Sequence, residues 1–280
     1  IPKEQRVLAR EAELTSDISG LARLKGALSE LQTSLATASA PATFQQRNAT
    51  SNQSSKVDVS ASSLASVGNY AVAVQNLASS QSLAIRDTFA TVNETVGTGT
   101  LTFTFGTTGY TTHASDSTQD TYDSFVAQAG VSSATVTIDS SSNTLSGVRD
   151  AINNADIGVS AAIVKTGSAY RLLVSSDTSG LANGIQITVS DSGDNNNTDG
   201  NGLSRLAFNA SAGTANVYQT ISAADAAFTV NGLALSSASN TVANVIDGLT
   251  LTLKDVTTTT AALSVTDNTS GIKTAVNTFV

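Results

Sequence analysis

Leucines recur at Leu21, Leu24, Leu28, Leu31 and Leu35 in steps of three and four, and Leu14 and Ile18 carry the same stripe backward. Side chains three or four apart share one face of an α-helix, so this run forms an amphipathic helix. Its apolar face either sits on the chain's own core or is a seam for another helix or another subunit. The pattern predicts a helix over 2–38, with Pro2 and Glu4 suited to its start and Pro41 to its end. Ser270 to Val280 repeats helical spacing at Ile272, Val276, Phe279 and Val280, which reads as the beginning of a returning helix. The stripe and these last positions are the expected leg-packing or oligomer-interface residues. With no methionine anywhere, the chain is expected to be a trimmed fragment.

After Pro41 the period changes. Thr43 to Ser55 is polar and reads as an extended connection, and Gly68-Asn69, just before the run that starts at Tyr70, reads as a turn. Val57 and Val59, then Tyr70, Val72 and Val74, then Leu101, Phe103 and Phe105 alternate with small or polar residues, which is strand periodicity with one buried face. Strands are also expected at Thr135–Ile138, Ser160–Lys165, Tyr170–Ser175, Ile185–Ser190, Phe228–Val230, Leu249–Leu253 and Ala262–Val265. Short connections favour antiparallel pairing. Leu145, Val148, Ala151 and Ile152 sit at helical spacing, with Asn143 or Thr144 as N-cap. Ser142–Asp150 resembles Ser239–Asp247, which suggests two β-rich lobes of related design.

These elements predict an α+β, mostly β fold. Two antiparallel β-rich domains, one inserted in the other, stand on a helical or coiled-coil leg formed by both chain ends. The expected divisions are 1–55 with 268–280 for the leg, 56–92 with 220–267 for the first β domain, and 93–219 for the inserted one.

Chemistry is sparse. Lys plus Arg is 14 against 22 Asp plus Glu, a net charge of −8, which argues against nucleic acid and anionic membrane as partners. No run approaches the roughly 20 apolar residues of a membrane span, and no cleavable signal peptide is expected at this N-terminus. With no cysteine, disulfides, thiol nucleophiles and thiolate metal sites are all excluded. The single histidine, His113, lies in a polar, loop-like run within Tyr110–Gly130 and is expected to be a surface residue. Gly97-Thr98-Gly99 precedes a strand, not a helix, so it fails the context of a phosphate loop. Asn195, Asn197, Asp199 and Gly200 match the early positions of a calcium loop, but its twelfth position is Leu206 where a bidentate Glu is needed. A solvated turn is the expectation there. With no tryptophan and 5% aromatic residues, a sugar-binding cleft is disfavoured. No catalytic, cofactor-binding or metal-ligating residues are expected, and what remains is a surface or assembly protein.

Several segments resemble one family. Leu24–Thr33 is similar to the first leg helix of flagellar hook-associated protein 2, the filament cap. Phe44 with the polar run after it, Gly68–Val74, Gln75–Ala78 and Gln81–Ala84 are similar to the entry into its head. Val148–Asn153 with Gly158–Ala161 resembles its central lobe. Phe228–Gly232, Ser239–Thr241 and Ile246–Leu253 resemble the repeated motif of hook-associated proteins and flagellins. The resemblance implies a pentameric or hexameric ring of copies at the distal tip of the bacterial flagellum, with legs towards the filament and heads forming a plate. It implies partnership with flagellin, whose folding and insertion the ring promotes, and with an export chaperone before secretion through the flagellar pathway. Adhesion to host mucin glycans is a secondary implication. The alternatives are another hook-associated or axial flagellar component, or an extracellular carbohydrate-binding adhesin. The later leg helices of the family have no counterpart in this sequence.

Overall fold

The computed structural model describes residues 2–39, 45–111, 121–209 and 216–279. The long helix α1 spans Pro2–Ser39. Seven strands follow: β1 (Arg47–Ser51), β2 (Val57–Ala61), β3 (Gly68–Asn76), β4 (Ser82–Ile85), β5 (Gly99–Thr111), β6 (Thr121–Ala127) and β7 (Ala134–Ile138). Helix α2 (Leu145–Asn154) precedes β8 (Val159–Thr166), β9 (Ala169–Ser176), β10 (Gly184–Asp191) and β11 (Val217–Ile221). The chain closes with β12 (Ala226–Val230), β13 (Leu233–Ser237), β14 (Thr241–Ala243), β15 (Leu249–Leu253), β16 (Ala261–Asp267) and helix α3 (Thr269–Phe279). All the strand ladders among the described residues are antiparallel. The mostly β architecture expected from the alternating patterns is therefore present.

Two separate apolar cores organise these strands. The five-stranded sheet β1-β16-β3-β12-β13 and the three-stranded sheet β14-β15-β2 enclose the first, built around Val57, Val72, Phe228, Leu251 and Leu263. Phe228 is fully buried against its neighbours. The second core lies between β10-β5-β6, with β7 also on β5, and the sheet β11-β4-β9-β8. Helix α2 closes it with Leu145, Val148 and Ile152, all buried. Period two explains β5 directly: Leu101 and Phe103 point inward while Thr102 and Thr104 stay partly exposed. The N-cap of α2 is Thr144, whose hydroxyl accepts the Gly147 amide at 3.1 Å.

The glycines of Gly97-Thr98-Gly99 have a packing reason. A Cβ at Gly99 would lie 2.1 Å from the Ser190 carbonyl oxygen, and one at Gly97 would lie 2.4 Å from the Leu203 amide. Both carry φ near +150°, so the motif lets β5 start hard against the opposite loop.

Four expectations are corrected. Arg47–Ser51, inside the presumed connection 43–55, is a strand paired with β16. Gly68-Asn69 is the start of β3, opposite Val265 and Ser264, and not a turn. Part of the presumed loop Tyr110–Gly130 is the β5–β6 hairpin. The two similar segments diverge: Ser142–Asp150 leads into α2, whereas Thr241–Ala243 is the strand β14. In addition, Leu83, Ile85 and Phe89 pack in the second core, so the passage between cores precedes residue 92. Pro41, Thr43, Phe44, His113 and Val280 lie outside the described residues.

Two cores predict two separable losses. Phe228→Ala should destabilise the first core by about 3–5 kcal/mol, and Phe103→Ala the second by a similar amount. Methyl NMR spectra in a urea titration check this: in each variant only the signals of the mutated core should disappear early.

Candidate assembly surface

The stripe on α1 faces solvent. Leu14 is 47% exposed, Leu21 66%, Leu28 56% and Leu35 54%, and Ile18, Leu24 and Leu31 are exposed as well. Val7 and Leu8, which the stripe read from sequence omits, extend the apolar run towards the N-terminus. Their signal was available: Val7, Leu14, Leu21, Leu28 and Leu35 fall every seven residues. The helix is roughly 57 Å long at 1.5 Å per residue, while α3 is only about 16 Å. Helix α3 lies against α1, with Ile272 partly buried. The side chains of Val276 and Phe279 lie outside the described residues.

The hydroxyls of its weak helix formers bond backward to carbonyls one turn earlier. Thr15 donates to the Glu11 carbonyl at 2.7 Å, Ser19 to Thr15 at 2.8 Å and Thr33 to Ser29 at 2.9 Å. These bonds satisfy polar side chains locally and leave the apolar face as the unpartnered feature of α1.

The leg is fixed to the first core at one junction. Arg47 on β1 pairs with Asp267 on β16 at 2.8 Å and donates to the Ala65 carbonyl at 2.9 Å. Asn268 accepts the Gly271 amide at 2.9 Å, which caps α3, while its own amide bonds the Gln46 carbonyl at 2.9 Å. A Cβ at Gly271 would lie 2.3 Å from Gln46 Oε1, so the helix start and the chain leading into β1 touch.

The other candidates resolve into structural roles. Asp191 is buried and accepts the amides of Gly193 at 2.7 Å and Ser204 at 3.0 Å. Asp199 accepts the Ser204 hydroxyl at 2.6 Å, the first cause holding its carboxyl below the usual range. Leu206 is a buried core residue. The acidic loop thus spends its carboxylates on its own chain. Among the described residues, no cluster of three or more His, Cys, Asp or Glu side chains is placed to hold a metal ion. Tyr122 packs edge-on against Phe208 with ring centroids 4.6 Å apart, and Tyr110 lies edge-on to Tyr122 and tilted against Phe208, so the three rings pack on one another and do not form an open stacking platform. An apolar void of about 10 Å³ inside the second core, lined by Leu83, Phe103 and Ile152 among others, has room for no more than one water. No described helix is long and apolar enough to cross a membrane. The outstanding surface of the molecule is therefore the α1 face beside the β1–β16 junction.

A long helix packed against the short helix that follows the paired strands β1 and β16, with a second β core in the same chain, defines a leg-and-lobe architecture. The flagellar hook-associated protein 2 N-terminus matches residues 1–81, and the C-terminus of the same family matches residues 223–280. The chain is 34% identical over 288 residues to B-type flagellar hook-associated protein 2 of Pseudomonas aeruginosa, covering 99% of this chain and 55% of that one. It is 32% identical to flagellar hook-associated protein 2 of Escherichia coli over 240 residues, 84% of this chain and 44% of that one. Among solved structures, the D1-D2-D3 domains of the Escherichia coli flagellar cap protein FliD superpose with a TM-score of 0.76 at 29% identity, covering 92% of this chain and 65% of that one. FliD (HAP2) of Pseudomonas aeruginosa PAO1 gives a TM-score of 0.59 at 32% identity, covering 80% and 90%. The chain belongs to the flagellar hook-associated protein 2 family, the family of flagellar cap proteins. It spans about half the length of the curated relatives it matches.

Two tests follow from this site. Asp191→Ala strips a buried acceptor from two backbone amides, and should destabilise the second core by about 1–3 kcal/mol, while calorimetric titration of the parent chain with calcium should give no heat. The second test concerns acid. A hydrogen bond from Lys254 is the chief cause holding the exposed Asp58 carboxyl below its ordinary range. A depressed folded pKa stabilises above the unfolded value near 3.9 and is lost as pH falls through the folded one. Urea unfolding as a function of pH should therefore show a shallower acid limb in Asp58→Asn than in the parent.

Proposed function

We propose that this chain is the lobed head and upper leg of a flagellar filament cap. The observation that carries this reading is the apolar α1 face, exposed over the length of the helix in a family of cap proteins. Water leaves such a face when a second helix covers it. Its occupants are further leg helices and neighbouring copies, so Leu14, Ile18, Leu21, Leu24, Leu28, Leu31 and Leu35, with Ile272, Val276 and Phe279, form the packing seam. The copies close into a pentameric or hexameric ring at the distal tip of the filament, where incoming flagellin folds and inserts.

The leg comprises α1 and α3. The first lobe takes the strands of the first core, and the second lobe, β4 to β11, is inserted between Gln81 and Ser222. The work is done by packing. A ring that shifts as each subunit is added needs contacts that are numerous and individually weak. A chain with only 13% charged residues and many hydroxyl and amide side chains suits such wet, exchangeable contacts. Delivery to the tip as an exported, cysteine-free chain, escorted by a chaperone, fits the same role. Contact with host mucin is left to the exposed lobes.

The test is genetic. In cells making the whole protein with Leu28→Asp, the seam receives a charge that its partner must desolvate. Filaments should be short or missing and monomeric flagellin should accumulate in the medium, while the β lobes of the purified variant stay folded. Normal filaments and motility in that strain would contradict the assignment.

A further inference from the structure

Two short segments carry the chain between the cores, Ser79–Gln81 outward and Ile221–Ala224 in return. They run side by side as an antiparallel ribbon. Ser79 and Ala224 exchange backbone hydrogen bonds at 2.9 and 3.1 Å, and the Ser79 hydroxyl donates to the Ser222 carbonyl at 2.7 Å. An isolated two-stranded ribbon is marginal by itself and bends readily. On one side Gln81, fully buried, anchors it to the second core: its Nε2 donates to Gln219 Oε1 at 2.6 Å and its Oε1 accepts the Ile185 amide at 2.5 Å.

On the other side the connection between β9 and β10 reaches back across the ribbon to the first lobe. The Ser179 hydroxyl donates to the Ala238 carbonyl at 2.7 Å, and the Leu181 amide donates to Asp225 Oδ1 at 2.7 Å. The Gly180 amide donates to the Ser79 carbonyl at 3.2 Å. Gly180 has φ of 109°, and a Cβ there would fall 2.6 Å from the Ala238 Cβ. Only glycine permits both the backbone angle and the approach.

We propose that residues 179–181 are a clasp that sets the angle between the two lobes, closed in this structure and able to open without unfolding either core. Ser179, Gly180, Leu181, Asp225 and Ala238 belong to neither apolar cluster. Opening therefore exchanges three hydrogen bonds for water and exposes no core side chain. The ribbon Ser79–Ala224 remains as the pivot, and Gly180 is the residue whose bareness makes the closed angle reachable.

The absence of cysteine allows a direct test. Dyes on Ser55→Cys in the first lobe and Ser168→Cys in the second, both exposed positions, report the angle by single-molecule energy transfer in the 280-residue chain. The parent should give one narrow distance distribution. Ser179→Ala with Asp225→Ala, which removes two of the bonds, and Gly180→Val, which wedges the contact, should each broaden or split it. The methyl NMR signals of both cores should stay unchanged. A broad distribution in the parent, or one narrow unchanged distribution in both variants, overturns the clasp. Loss of the core signals in both variants overturns it too, because the contact would then be part of a core.

Discussion

Everything in this molecule hangs on one antiparallel pairing, that of β1 with β16. Arg47 meets Asp267 across 220 residues of sequence, and the ladder below it runs to Ser51 opposite Leu263. Closing so long a loop carries an entropy penalty that grows only slowly with length, and the first core offsets it by burying Leu263 and Val265 from β16. Once these strands pair, the chain enters β1 and leaves β16 for α3 at the same end of the same sheet. The leg is thus a consequence of strand pairing before it is a consequence of helix packing. The second lobe follows from the same closure, since 79–224 is an excursion whose two ends the first lobe holds side by side.

The division of labour between surfaces then becomes physical. Both cores are filled by their own chains, and the acidic loop, the glycine motif and the aromatic cluster are each absorbed in local packing. The leucine face of α1 is different. Nine large apolar side chains exposed along one helix are unfavourable in isolation, and their steps of three, four and seven are the spacing that helix-packing seams use. The proposed role in a moving assembly would use such a contrast between sealed cores and an uncovered helix face.

Much of this was legible in the sequence. The helix, its leucine face and the strands with inward Val, Leu or Phe declared themselves because burial imposes the periodicity. The cap of α2 was legible to within one residue, Asn143 or Thr144, because both side chains can accept a first-turn amide; the structure uses Thr144. What stayed hidden were strands held by pairing more than by burial. Arg47–Ser51 reads Arg-Asn-Ala-Thr-Ser and has no apolar alternation to detect, and Leu233–Ser237, Leu-Ala-Leu-Ser-Ser, is too short and too exposed for its two leucines to mark a buried face. The repeat at 142 and 239 shares five of nine residues, yet it forms a helix where α2 has a core to cover and a strand where β15 offers a ladder. Local sequence proposed both, and tertiary context chose.

The central claim is that the α1 stripe is a seam covered in the assembled protein. Its most direct test places a single reactive thiol, Leu21→Cys, on the stripe of this otherwise cysteine-free chain. Alkylation rates are then compared between the 280-residue chain and the whole protein assembled on filaments. The account predicts fast labelling of the isolated chain and strong protection in the assembly. Equal, fast labelling in both states would contradict it.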